Sequence, residues 1–151
     1  MRTIILVLVP FFIYSCQGKE SKIESLNIEQ TVASANCEPD FDVFFQEFSK
    51  DFIFQKNHIK FPLSVAYYAD EYHEELIVET IETKSDFKYI DFTDDVNAMQ
   101  TETDKFTTEK VKAKTRATYK RLGYDNGIMV SYKFEIINGC WTMVEVIDES
   151  T

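Results

Sequence analysis

Residues 127–148 read GIMVSYKFEIINGCWTMVEVID, two alternating apolar runs on either side of Asn138-Gly139. Asn-Gly is the strongest short-range signal for a two-residue hairpin turn, because both residues tolerate positive φ. With Ile137 and Cys140 flanking the turn, a register follows. Ile136 faces Trp141, Phe134 faces Met143, Tyr132 faces Glu145 and Val130 faces Ile147, all on one side of the sheet. That side reads as core with a single carboxylate set into it. The other side, Met129 to Ile137 against Cys140 to Asp148, is mixed. The rest of the domain is expected to be built around this hairpin.

Upstream, Val111, Ala113, Thr115, Ala117 and Tyr119 alternate with Lys112, Lys114, Arg116, Thr118 and Lys120. The pattern predicts one strand with a basic face, and two readings of that face stand open. It is either a stripe for an anionic ligand or acidic partner, or a solvent-facing surface with lysines that guard against edge pairing. GYDNG, residues 123–127, then turns the chain into the hairpin. Residues 93–108 form a polar excursion with a helical turn around Asp95 to Gln100, and Phe87 to Phe92 is a short apolar segment of undetermined type. SVAYYA (64–69) and ELIVETIET (75–83) read as strands joined by an acidic connection. Asp70, Glu71, His73, Glu74 and Glu75 in that connection carry ligand chemistry for a divalent cation but lack a recognisable ligand spacing. They read as a solvated loop, with no metal site.

Earlier still, Phe41, Phe44, Phe45, Phe48 and Phe52 fall at i, i+3, i+4, i+7 and i+11, a helical stripe. Pro39 suits its first turn, and Glu38 and Asp40 favour the positive end of its dipole. Asp51 can cap a second short turn carrying Phe52, Ile53 and Phe54, and Pro62 ends any helix in KNHIKFPL.

The chain has 151 residues, enough for one domain with a substantial core, and its 15% aromatic content, with thirteen Phe and eight Tyr, makes that core aromatic. A formal charge of −10 weighs against nucleic acid as a partner, because phosphates call for a basic surface.

Residues 1–15 stand apart. Arg2 supplies a positive start and Ile4 to Ile13 an apolar run too short to span a bilayer. Ile13-Tyr14-Ser15-Cys16 then resembles the lipobox of bacterial lipoproteins. That resemblance implies cleavage before Cys16, a diacylglycerol thioether on its sulfur and a further acyl chain on its new amino group. Two or three chains anchor stably where one does not. Removing Arg2 with the leader takes the charge from −10 to −11. Residues 16–35 then read as the lipidated Cys16 and a polar tether reaching on the order of 25 Å. A single α+β domain follows over 36–151. The protein is therefore expected in the cell envelope as an outer-membrane lipoprotein, and both the periplasm-facing and the surface-exposed placements stay open.

The Phe-striped segment, the run DFIFQKNHIKFPL (51–63) and the hairpin together resemble a Bacteroidetes lipoprotein family of unknown function. That family is associated with a nuclear transport factor 2-like (cystatin-like) fold. The similarity spans roughly Cys37 to Asp148, and its most specific parts are Phe61-Pro62-Leu63 and the Asn138-Gly139 turn followed by Trp141. Cys140 departs from the pattern, which leads one to expect a polar or basic residue there. The resemblance implies a curved antiparallel sheet packed on an N-terminal helix and enclosing a cone-shaped cavity. It brings no activity, substrate or cofactor. An α+β arrangement with helix on one face of the sheet also agrees with the residue pattern alone.

With Cys16 assigned to lipid, Cys37 and Cys140 remain, and an exported domain permits them to pair as a disulfide or to stay free. His58 and His73 belong to no triad, phosphate loop or zinc signature. Glu145 is the first candidate for chemistry. On the register above it shares the apolar face with Tyr132 and Trp141, where burial raises a carboxyl pKa. Two functions follow. One is a non-catalytic module binding a small ligand or an envelope protein, with Tyr132, Glu145 and Trp141 lining the cavity. The other is a small hydrolase or isomerase working through a Glu145–Tyr132 pair.

Overall fold

The computed structural model describes residues 37–69 and 75–151. Cys16, the tether and most of the acidic connection with His73 lie outside those residues. The Phe stripe folds as helix α1 (Phe41–Phe48), whose buried face is Phe41, Phe44, Phe45 and Phe48. Asp40, rather than a residue inside the helix, caps it by accepting from the Asp42 and Val43 amides. The stripe stops there. Phe52 opens a second helix, α2 (Phe52–Asn57), and is 40% exposed. Asp51 caps α2 through the Phe54 amide at 2.8 Å.

Among the described residues six strands make one sheet: β1 (Ile59–Tyr67), β2 (Ile77–Ile81), β3 (Phe106–Lys112), β4 (Arg116–Gly123), β5 (Met129–Ile137) and β6 (Cys140–Asp148). Their order is β2-β1-β6-β5-β4-β3. The sheet is mixed, since β1 runs parallel to β6 while the other neighbours are antiparallel. A 3-10 helix (Thr93–Gln100) packs between β2 and β3 in sequence.

Two irregularities bend the sheet at the same level of β6. In β5–β6, Phe134 pairs with Met143 but Lys133 pairs with Glu145, so Val144 is an extra residue with no partner. Alongside, β1 pairs Ile59 with Met143 and Ser64 with Glu145, which leaves Lys60 to Leu63 out of step. Pro62 sits in that interruption, after a cis Phe61–Pro62 bond, where its missing N–H breaks no ladder bond. Bulges of this kind bend the bulged strand and increase its twist. The bent sheet wraps α1. Phe134 meets Phe41, Phe48 and Phe45 edge-on at 5.2, 5.2 and 5.9 Å between ring centroids, and Trp141 meets Phe41 at 5.1 Å.

The expected single basic strand over 111–122 is instead a hairpin, with β3 ending at Lys112 and β4 starting at Arg116. Its turn closes through Ala113 N donating to Arg116 O at 2.8 Å. No Gly, Asn or Pro marks it, and the same alternation continues on both sides, which is why the sequence reads straight through it. The 87–92 segment plugs the core with Phe87 and Phe92. The fully buried Gln55 ties it down, its amide donating to Phe48 O and Ile90 O and accepting from Ile90 N.

Candidate functional site

The bulge at Val144 decides what lies inside the sheet. Up to Met143 the expected register holds: Trp141 and Met143 point inward. Beyond Val144 the alternation is reversed, so Val146 stands opposite Tyr132 and Glu145 opposite Lys133. Glu145 is therefore on the convex face, one-third exposed, with its Oε2 2.8 Å from Lys133 Nζ. Tyr132 is buried on the concave face. The Glu145–Tyr132 pair expected from the sequence does not form, because one extra residue turns every later side chain of β6 over.

The concave face carries a different polar cluster. Asp95, from the 3-10 helix, is 7% exposed and meets Arg121 of β4 in a two-pronged ion pair. Arg121 Nε donates to Oδ2 at 2.9 Å and Nη2 to Oδ1 at 2.7 Å. Tyr119 Oη donates to Asp95 Oδ2 at 2.7 Å. Two further donors of Arg121 go to Tyr132 Oη at 3.1 Å and to Asp91 O at 2.6 Å. Phe92 lies under the guanidinium, 4.9 Å from its centre, and Phe106 lies at 5.4 Å. Burial and the Asp95 carboxylate push the Tyr119 phenol well above its usual range, and burial likewise raises Tyr132. Both phenols are thus held protonated as donors or neutral acceptors. Among the described residues, no buried side-chain polar atom lacks a partner. Asp95 and Arg121 lie 26 residues apart with no motif joining them, so only the alternation of β4, which puts Arg121 in phase with Ala117 and Tyr119, hints at an inward arginine.

Beside this cluster a groove of about 580 Å³ opens between α1, the 3-10 helix and the β3–β4 pair. Phe45, Phe92 and Tyr119 form its floor, and Gln46, Ser49, Thr93, Val96, Thr108 and Lys110 its walls. Lys110 reaches over the Phe45 ring at 4.9 Å and pairs with Asp42 of α1 at 3.2 Å, and Lys112 hydrogen-bonds the same carboxylate. The two ammonium groups hold the Asp42 carboxyl below its usual range, Lys112 having the larger effect. Of the basic stripe seen in the sequence Lys112 therefore faces α1, while Arg116, Thr118 and Lys120 lie on the convex face.

Trp141 does not line that groove. It is buried at the tip end of β6, where its Nε1 donates to Pro39 O at 3.0 Å. Cys37 and Cys140 are joined as a disulfide with Cα atoms 4.9 Å apart. Both line a smaller hollow of about 230 Å³ with His58, whose Nδ1 is engaged by Phe54 O at 2.8 Å. No group of three or more His, Cys, Asp or Glu side chains among the described residues is placed to hold a metal ion.

The sheet order, the helix seated in its concave face and the paired irregularities now permit comparison with solved structures. A nuclear transport factor 2-like protein from Bacteroides fragilis superposes with a TM-score of 0.52 over 77% of this chain and 49% of that one, at 17% identity. A cystatin-like protein from Bacteroides caccae gives a TM-score of 0.51 over 75% of this chain and 78% of that one, at 20% identity. The fold is nuclear transport factor 2-like, or cystatin-like. At these identities the likeness concerns the fold alone. The chain spans about half the length of the B. fragilis protein. No protein family matches the sequence, and no curated protein does. In this cystatin-like domain the cone that the resemblance implied is occupied by α1 and by the rings of Phe92, Phe134, Tyr119 and Tyr132.

Proposed function

We propose that the protein is a lipid-anchored component of the bacterial cell envelope, related to the Bacteroidetes lipoproteins its sequence resembles. Its cystatin-like domain works as a non-catalytic binding module. The Ile13-Tyr14-Ser15-Cys16 pattern supports the anchor. The observation that carries the binding reading is the state of the concave face. Asp95, Arg121, Tyr119 and Tyr132 are hydrogen-bonded to one another and to Asp91 O, and no buried side-chain polar atom among the described residues is left without a partner. The ligand, a small molecule or a side chain of an envelope protein, is then taken in the outer groove, over the floor of Phe45, Phe92 and Tyr119. The hydrolase or isomerase alternative rested on Glu145 facing Tyr132 and loses its premise with the Val144 bulge.

Site-specific photocrosslinking tests this reading. A photoreactive residue at Thr108, in the groove wall, should give a discrete adduct in intact cells, while one at Thr118 on the convex face should not. Equal yields at both positions, or adducts at Thr118 alone, would overturn the groove as the binding surface.

A further inference from the structure

The chain enters the described domain at one end of the sheet, and that end is built differently from the other. Cys37 is joined to Cys140, and Pro39 O is held by Trp141 Nε1, so the entry point is fixed to the tip of the β5–β6 hairpin. The β3–β4 tip shares this end, because Ile136 N donates to Thr115 O at 3.0 Å. Lys112, Lys114 and Arg116 surround that second tip, and the Arg116 side chain is 77% exposed. Carboxylates occur here too: Asp42 is engaged by Lys110 and Lys112, Glu135 by Arg116, and Asp40 by the α1 amides, with Glu38 Oε1 accepting from the Asp40 amide. The opposite end, where β4 leads into β5 and β6 finishes, carries Asp104, Asp125 and Glu149 on its loops, with Asp94 at the start of the 3-10 helix.

We infer that the β3–β4 tip is a docking surface for anionic phospholipid headgroups of the membrane that holds the lipid anchor. Lys112, Lys114 and Arg116 make the contact, and the acidic end points away. This rests on the lipoprotein reading above. Charge and position carry it together. In a chain of net charge −10, an exposed basic tip lies at the same end as the point from which residues 16–36 lead back to Cys16. A negative lipid surface attracts such a tip and repels the acidic loops, so a tethered globule is turned with its entry point toward the bilayer. The attraction acts over about a Debye length, which restricts it to groups at that end.

The single Trp is at this end and reports on it directly. The mature lipidated protein is reconstituted into phosphatidylcholine vesicles with or without phosphatidylglycerol, and flotation is checked first. Energy transfer from Trp141 to a headgroup-attached acceptor is then measured. Transfer should be greater in the phosphatidylglycerol vesicles, and the excess should vanish at 1 M salt, where the Debye length is about 3 Å. It should also vanish in Lys112→Gln/Lys114→Gln/Arg116→Gln and fall in Lys114→Glu alone, an exposed turn residue whose change leaves the fold intact by circular dichroism. Asp104→Asn/Asp125→Asn should leave it unchanged. Transfer that ignores lipid charge in a protein that floats overturns the orientation and leaves the lipoprotein reading standing. A protein that does not float removes the anchor, and the orientation with it.

Discussion

Arg121 and Asp95 meet through two parallel hydrogen bonds of 2.9 and 2.7 Å inside the concave face of the sheet, one residue from β4 and one from a 3-10 helix. The pair joins an otherwise polar excursion to the sheet, and Tyr119 and Tyr132 complete it.

Breaking one partner leaves the other charged group largely buried. Arg121→Met or Asp95→Asn should therefore cost about 3 kcal/mol in urea denaturation, the low end of the range for a broken buried pair, since the Arg121 side chain is 18% exposed. Asp95→Asn/Arg121→Met should cost clearly less than the two single losses added. Additive losses would mean that the two residues act independently.

The tyrosines set a high-pH limit. A phenol whose pKa is raised on folding, as burial raises Tyr119 and Tyr132, stabilises the fold fully below its unfolded value of about 10, and that contribution is lost as pH rises further. Stability should fall above about pH 10, and tyrosinate absorbance should show these two phenols ionising only on unfolding. In Tyr119→Phe the fall should be shallower. Free titration of every tyrosine in the folded protein would contradict the cluster.

The Cys37–Cys140 bond closes a sequence separation of 103 residues. For a loop of that length the chain-entropy account gives about 4.7 kcal/mol, so reduction or Cys37→Ala/Cys140→Ala should lower the urea midpoint substantially. Alkylation of the denatured, unreduced mature protein should label neither residue. Two labelled thiols would show the bond absent.

Glu145 separates the present geometry from a catalytic one. As a partly exposed partner of Lys133 it should tolerate Glu145→Gln with a loss below about 1 kcal/mol, the ordinary value of a surface ion pair. A loss several times larger would put it back in a buried setting.

Some of this was legible before the fold. The stripe from Phe41 to Phe48, though not its expected continuation to Phe52, the Asp51 cap and the Asn138-Gly139 turn rest on local chemistry, and each sits where the residues place it. What escaped was non-local or unmarked. Nothing in Met143-Val144-Glu145 signals a bulge, since the extra residue is set by the matching interruption at Pro62 in β1. The turn at Ala113–Arg116 lacks turn residues, and the alternation on either side disguises it. The Asp95–Arg121 pair depends on how a 3-10 helix lies across the sheet, which no spacing encodes. The first two errors moved the candidate site: one took Glu145 from the convex face to the core, the other joined two strands into one.

The lipid at Cys16 is tested most directly by the mass of the N-terminal peptide from protein purified out of the membrane fraction. The prediction is a chain that begins at Cys16 and carries diacylglyceryl and acyl mass, with Cys16→Ala abolishing both the cleavage and the added mass. An N-terminus elsewhere, or an unmodified Cys16 in wild-type protein, would contradict it.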